Sequence, residues 1–384
     1  MLRPRFASAV LAWILAMAAS GTFAQHEYDW NLPPGFPIPA APADNPMSAA
    51  KVELGRYLFY DLRLSQNATQ SCATCHQRER AFTDGRAQGV GSTGQVHPRG
   101  AMSLANVAYA VALTWANPAM TSLEEQALVP MYGEHPVELG LDRSDGWLFM
   151  FQRDPLYVDR FDAAFPGTPS PITRDNLVKA LASFERSIIS ARSPYDRYRY
   201  GGDQTAISDA AKRGEALFRS SSLSCASCHA GFNFSGGVAP AGTPPGVEFH
   251  NTGLYNLRGL FSYPAHDIGV SQVTKDPKDV GKFKAPTLRN IALTAPYMHD
   301  GSVATLEDAI AHYSAGGRTI ANGAYAGVGR HNPNKSDKLK GFTLTDNERE
   351  DLLAFLNSLT DRPLILDPRF DDPWRKLLPG APSW

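Results

Sequence analysis

All four cysteines of the 384-residue chain fall in two copies of one pattern, C-x-x-C-H: Cys72-Ala73-Thr74-Cys75-His76 and Cys225-Ala226-Ser227-Cys228-His229. C-x-x-C-H is the pattern of covalent c-type haem attachment: two thiols one helical turn apart form thioethers to the macrocycle, and the adjoining His offers a nitrogen to iron. Two disulfides are the alternative use of an even cysteine count in an exported chain. Two copies of the same spacing that consume every cysteine argue against it. Zinc would want further Cys or His at closed tetrahedral spacing, and a redox C-x-x-C would want a thioredoxin-like strand and helix around it. Two c-type haems are therefore expected, held by Cys72, Cys75, Cys225 and Cys228, with His76 and His229 as proximal ligands.

The far side of each iron separates a catalyst from a wire, because an open position admits a substrate and a second protein ligand closes it. Thr305-Leu306-Glu307-Asp308 has the form of a helix start and Gly316-Gly317 of a stop. Between them Leu306, Ile310 and Tyr313 share one face, while His312 is rotated from Tyr313 by roughly 100°. Tyr313 is thus a candidate distal ligand of the second haem, with His312 as runner-up and a hydrogen-bonded core tyrosine as the bland reading. An anionic phenolate favours high-valent iron.

These groups need helices to hold them. Each C-x-x-C-H follows a related phrase, Gly55-Arg56-Tyr57-Leu58-Phe59 and Gly214-Glu215-Ala216-Leu217-Phe218, in a helical pattern with Leu and Phe inward. Pro171 to Ile189 carries Leu177, Leu181, Phe184 and Ile188 at helical spacing, and a last helix is expected from Asp346 to Leu359. The expected fold is mainly α: two cytochrome c-like domains, residues 25–200 and 201–362, each holding one haem, with the haems facing the interdomain interface and a tail over 363–384. Gly231 to Gly246 and Gly316 to Asn334 read as loops.

Residues 1–24 read as a signal peptide: Arg3 and Arg5, an apolar stretch from Ala7 to Ala19, and a small-residue exit before Gln25. No later segment is long and apolar enough to span a membrane, so an exported, periplasmic protein is expected. With 37 basic and 38 acidic residues the charge is nearly balanced, which gives no support to a nucleic-acid partner.

Beyond the two haem motifs, Phe283-Lys284-Ala285-Pro286-Thr287-Leu288-Arg289-Asn290 and Thr294-Ala295-Pro296-Tyr297-Met298-His299-Asp300-Gly301 resemble the bacterial di-haem cytochrome c peroxidase and MauG superfamily, over Leu54 to Leu359. Peroxidases of that superfamily carry Met at the second-haem ligand position and MauG-like enzymes carry Tyr, here Tyr313. Trp30 to Pro37 and Asp44 to Ser48 look like the branch containing the di-haem enzyme of methanobactin operons.

The resemblance implies that Trp115 lies between the haems and that Gln126 and Glu138 line the open side of the first. The spacings around Gln126 and Glu138 are longer than the family pattern and call for loop insertions. A carboxyl there would move a proton between the oxygens of peroxide, so Glu138 is the implied acid-base, with His97 and His135 as competitors. The resemblance also implies a calcium ion held partly by backbone carbonyls of Thr294 and Pro296, although a third ligand position falls on Gly100, which has no side-chain oxygen.

Three functions follow from these residues. In the first, hydrogen peroxide raises the di-haem unit to a bis-ferryl state that oxidises a periplasmic partner protein by long-range electron transfer; the methanobactin branch implies a copper-binding partner whose tryptophan becomes kynurenine. In the second, a peroxidase detoxifies hydrogen peroxide with electrons from a small redox protein. Met298 and Met131 are present, but the resemblance gives Met298 no ligand role. In the third, a non-enzymatic electron carrier has both irons closed by ligands such as His312 and His97 or His135.

Overall fold

Seven of the helices begin at a hydroxyl side chain that accepts a backbone N–H three residues on, and two pairs of them build the two halves of the protein. The computed structural model describes residues 28–236, 247–257 and 263–375. The expected signal peptide lies outside these residues, as do 237–246 of the expected loop and 376–384 of the tail. In chain order the helices used below are α1 (Ala49–Phe59), α2 (Leu123–Tyr132), α3 (Pro155–Ala164), α4 (Arg174–Ser187), α5 (Pro194–Arg199), α6 (Asp209–Arg219), α7 (Leu306–Ser314) and α8 (Asp346–Ser358). Ser48, Thr173, Ser208 and Thr345 cap α1, α4, α6 and α8.

In the first half α1 crosses α4, and in the second α6 crosses α8. A Cβ on Gly55 would lie 2.0 Å from the Ala180 carbonyl oxygen, and one on Gly214 would lie 1.9 Å from that of Asp351. Only glycine lets the backbones approach so closely. The repeated phrase in the sequence is therefore a repeated helix crossing. Leu54, Leu58, Phe59, Leu177, Leu181 and Phe184 fill the first crossing with at most 1% of their surface exposed. Each such side chain contributes about 1.5–3 kcal/mol by leaving water. Phe218, Phe234, Leu352, Phe355 and Leu359 fill the second.

Strand is confined, among the described residues, to two short antiparallel ladders, β1 (Phe249–His250) with β2 (Phe283–Lys284), and β3 (Thr319–Ile320) with β4 (Gly327–Val328). The second ladder corrects the expectation of plain loop from Gly316 to Asn334: the chain folds there into a hairpin whose turn, residues 321–325, is exposed. No described helix is long and apolar enough to cross a membrane.

The halves meet at a buried polar seam. Asp361, fully buried, accepts the Ala191 and Arg192 N–H groups and the Ser190 hydroxyl, and its own N–H donates to Asn290. Arg289 forms a bidentate pair with Asp196 of α5, both oxygens at 2.9 Å. Tyr195 of the same helix packs among Phe234 and Phe355. After α8 the chain returns to the first half, where Leu364 and Phe370 join its core and the Trp374 indole donates to the Tyr57 carbonyl. This seating of the tail has no periodic signal in the sequence.

Candidate functional site

The two C-x-x-C-H segments fold alike. Cys72–Cys75 is a single helical turn in which Ser71 and Thr74 cap each other, and Cys225–Ser227 is a tighter turn. Cys72 packs against the first core and Cys225 against the second, and no disulfide joins any of the four thiols. His76 Nδ1 lies 2.9 Å from the Phe82 carbonyl, and His229 Nδ1 lies 3.1 Å from that of Phe234. A carbonyl only accepts, so each Nδ1 carries the proton and each Nε2 keeps its lone pair for a metal. Burial lowers both imidazole pKa values, that of His229 to about 4, which keeps the rings neutral as a metal requires.

A cavity of about 360 Å³ runs between the halves. Cys225, Cys228 and His229 line it together with Tyr313 of α7. The Cys228 and Cys225 sulfurs are close enough to add to burial in raising the Tyr313 phenol pKa. His312 is not among the lining residues. It is buried beside Thr252 and Arg318. The one-residue rotation expected from helix geometry thus separates the two candidates. This donor set, a cysteine pair, an anchored His and a phenol lining one cavity, fits a covalently held haem.

Trp115 reaches the same cavity, whose walls include Met102 and Thr83 from the first half. Its indole N–H donates to the Gly100 carbonyl at 3.0 Å, and its own carbonyl accepts from Lys284 N. Thr294, Pro296 and Met298 stand in this wall, whereas Met131 is buried in the first core. Among the described residues no three His, Cys, Asp or Glu side chains cluster as a metal site, so a cation here would depend on backbone oxygens.

Glu138 lies near the first C-x-x-C-H segment, close enough to Cys72 and Cys75 for its charge to act on both thiols. Its side chain keeps 37% of its surface open, yet the surrounding protein raises its carboxyl pKa by desolvation. His97 Nε2 lies 3.8 Å from Glu138 Oε1. The Arg99 N–H donates to His97 Nδ1, so a neutral His97 carries its proton on the nitrogen facing Glu138. His135 is exposed. Gln126 sits on α2, and no hydrogen bond joins its side chain to another described residue. The helix itself is well fixed, since Glu124 takes both Arg186 nitrogens at 2.7 and 2.8 Å and the Asn45 amide at 2.7 Å, and the Leu139 N–H caps the Pro130 carbonyl.

Two buried ionisable groups escaped the sequence reading. Lys284, 9% exposed, donates to the Ala112 carbonyl, has no carboxylate partner among the described residues, and has its pKa lowered to about 8 by burial. Glu185 on α4, 6% exposed and near Cys72, has an unpartnered Oε2 and a pKa raised to about 8, again by burial. Each stands beside an apolar stretch, and nothing local marks either as buried.

Residues 49–205 match the family described as di-haem cytochrome c peroxidase. The chain is 36% identical, over 94% of its length and 94% of the relative's, to the cytochrome-c peroxidase IdrP1 of Denitromonas iodatirespirans. It is 33% identical to the methylamine utilization protein MauG of Methylorubrum extorquens, over 87% of this chain and 84% of that one. Among solved structures, a MauG-like protein associated with microbial copper homeostasis superposes with a TM-score of 0.88 at 48% identity, covering 90% of this chain and 99% of that one.

Proposed function

Since the chain belongs to the di-haem cytochrome c peroxidase and MauG family, whose members are peroxide-dependent di-haem oxidoreductases, we propose that it is the MauG-like kind: an exported enzyme that oxidises a periplasmic partner protein at a distance. The observation that carries this reading is Tyr313 lining one cavity with Cys225, Cys228 and His229. When bound, the two haems would take the two oxidising equivalents of hydrogen peroxide. Their holders are Cys72, Cys75 and His76 in one half, and Cys225, Cys228, His229 and Tyr313 in the other.

Around them the residues divide the work. Glu138 moves a proton from one oxygen of hydrogen peroxide to the other, and burial brings its pKa towards the pH at which it must both take and give it. His97, beside it, orients that carboxyl, and Gln126 lines the same side. Trp115, on the wall shared by both halves and fixed by its bond to Gly100, couples the centres electronically. Thr294 and Pro296 are the proposed backbone donors to a calcium ion that stiffens this wall. The copper-homeostasis likeness at 48% identity supports a copper-binding partner, with tryptophan oxidised to kynurenine as the product.

Mössbauer and EPR spectra of the diferric protein, before and after one equivalent of hydrogen peroxide, test the reading. Loss of both ferric signals without prior reduction is the expected result. A response that requires one haem to be reduced first would replace it with a conventional peroxidase, and no response in either state would leave an electron carrier.

A further inference from the structure

A row of aromatic rings leads from the cavity to the surface. The His299 ring stacks on Phe283, centroids 3.6 Å apart and planes 14° apart, and both line the cavity. From Phe283 the centroids step 6.0 Å to Tyr263, 5.3 Å to Tyr255 and 5.5 Å to Tyr325. Trp115 packs against the same cluster. Tyr263 and Tyr255 are 7% and 6% exposed, whereas Tyr325, in the turn of the β3–β4 hairpin, is 42% exposed. Packing alone would be served by phenylalanine; three phenols in succession are three oxidisable rings.

The middle phenol also has what one-electron oxidation requires. A tyrosine that loses an electron must lose its proton as well, and the Tyr255 hydroxyl donates to Asp300 Oδ2 at 2.6 Å. A short charge-assisted bond of this kind gives the proton a place to go and brings it back when the ring is refilled.

We propose that Tyr263, Tyr255 and Tyr325 carry oxidising equivalents from the di-haem unit to the hairpin tip, where Tyr325 meets a partner protein bearing an oxidisable aromatic side chain. The proposal rests on the peroxide-driven reading above. For each equivalent, one electron passes from Tyr255 across the Tyr263 ring, which is not itself oxidised and keeps its proton, to the peroxide-oxidised unit, and Tyr325 then refills Tyr255. Tyr255 lends its proton to Asp300, and Tyr325 releases its own to water. The partner then returns one electron and one proton to Tyr325, and hydrogen peroxide is the terminal oxidant.

The test is peroxide treatment of the full-length haem-loaded protein with a nitroso spin trap and no reductant, followed by EPR and peptide mass spectrometry. The expected result is a trap adduct on Tyr325, lost in Tyr325→Phe and reduced at least about tenfold on Tyr325 in Tyr255→Phe, with the peroxide-induced change in the haem spectrum intact in both variants. Tyr325 lies exposed, so its variant leaves the core unaltered. Adducts elsewhere but none on Tyr325, or an undiminished adduct in Tyr255→Phe, would overturn the route while leaving the peroxide reaction standing. Haems that do not respond to peroxide would overturn the route together with the reading it rests on.

Discussion

Tyr313 and His312, neighbours on α7 with ring centroids 5.1 Å apart, face different compartments: the phenol lines the cavity with Cys225, Cys228 and His229, and the imidazole is buried outside it. Tyr313→Phe should therefore change the spin state of the second haem, read by EPR at low temperature, while both haems stay covalently attached. His312→Phe should leave that signal in place. The opposite pattern would hand the ligand role to His312.

Glu138→Gln should slow peroxide consumption by roughly a hundredfold or more, the usual effect of losing a general acid-base. Because burial raises the Glu138 pKa above its ordinary 4.5, the wild-type rate should fall with acidification from a higher pH than a solvated carboxyl would give. That acidic limb should vanish from the stopped-flow pH profile of the variant.

Trp115→Phe keeps a ring in the shared wall but removes the N–H bond to Gly100 and the readily oxidised indole. The expected outcome in a redox titration is two haems that behave independently, with their axial ligands unchanged. Independent haems in the wild type would remove Trp115 from this role.

Gly55→Ala and Gly214→Ala should each destabilise the holoprotein by about 1–3 kcal/mol or more, since the added methyl meets a backbone oxygen that cannot swing away. Urea unfolding followed by circular dichroism would measure it. A change within error at either site would mean that its helix crossing yields without strain.

Glu185 tests the buried carboxyl. Its folded pKa, about 8, lies above the 4.5 of the unfolded chain, so the unfolded state gains by ionising first. Its cost to stability is absent below pH 4.5, grows as pH rises, and is complete above about 8. Glu185→Gln should raise the unfolding free energy at pH 8, measured by urea titration, by on the order of 1–3 kcal/mol after allowing for relaxation, and change it little at pH 5.

Local pattern and tertiary contact contributed differently to this account. The C-x-x-C-H copies, the Gly-x-x-Leu-Phe phrase before each, and the spacing of Leu306, Ile310 and Tyr313 were legible in the chain because each is a covalent or helical regularity within a few residues. They point to the haem chemistry, the helical class and the face of α7 that carries Tyr313. The hairpin around Tyr325, the return of Phe370 to the first core, and the burial of Lys284 and Glu185 were not legible. They arise from segments distant in sequence closing over one another, and a charged residue carries no local mark of the protein that will surround it. The row from Phe283 to Tyr325 is of the same kind: Phe283 in β2, Tyr263, Tyr255 and, in the hairpin turn, Tyr325 follow no local pattern, and only packing in space sets them ring against ring.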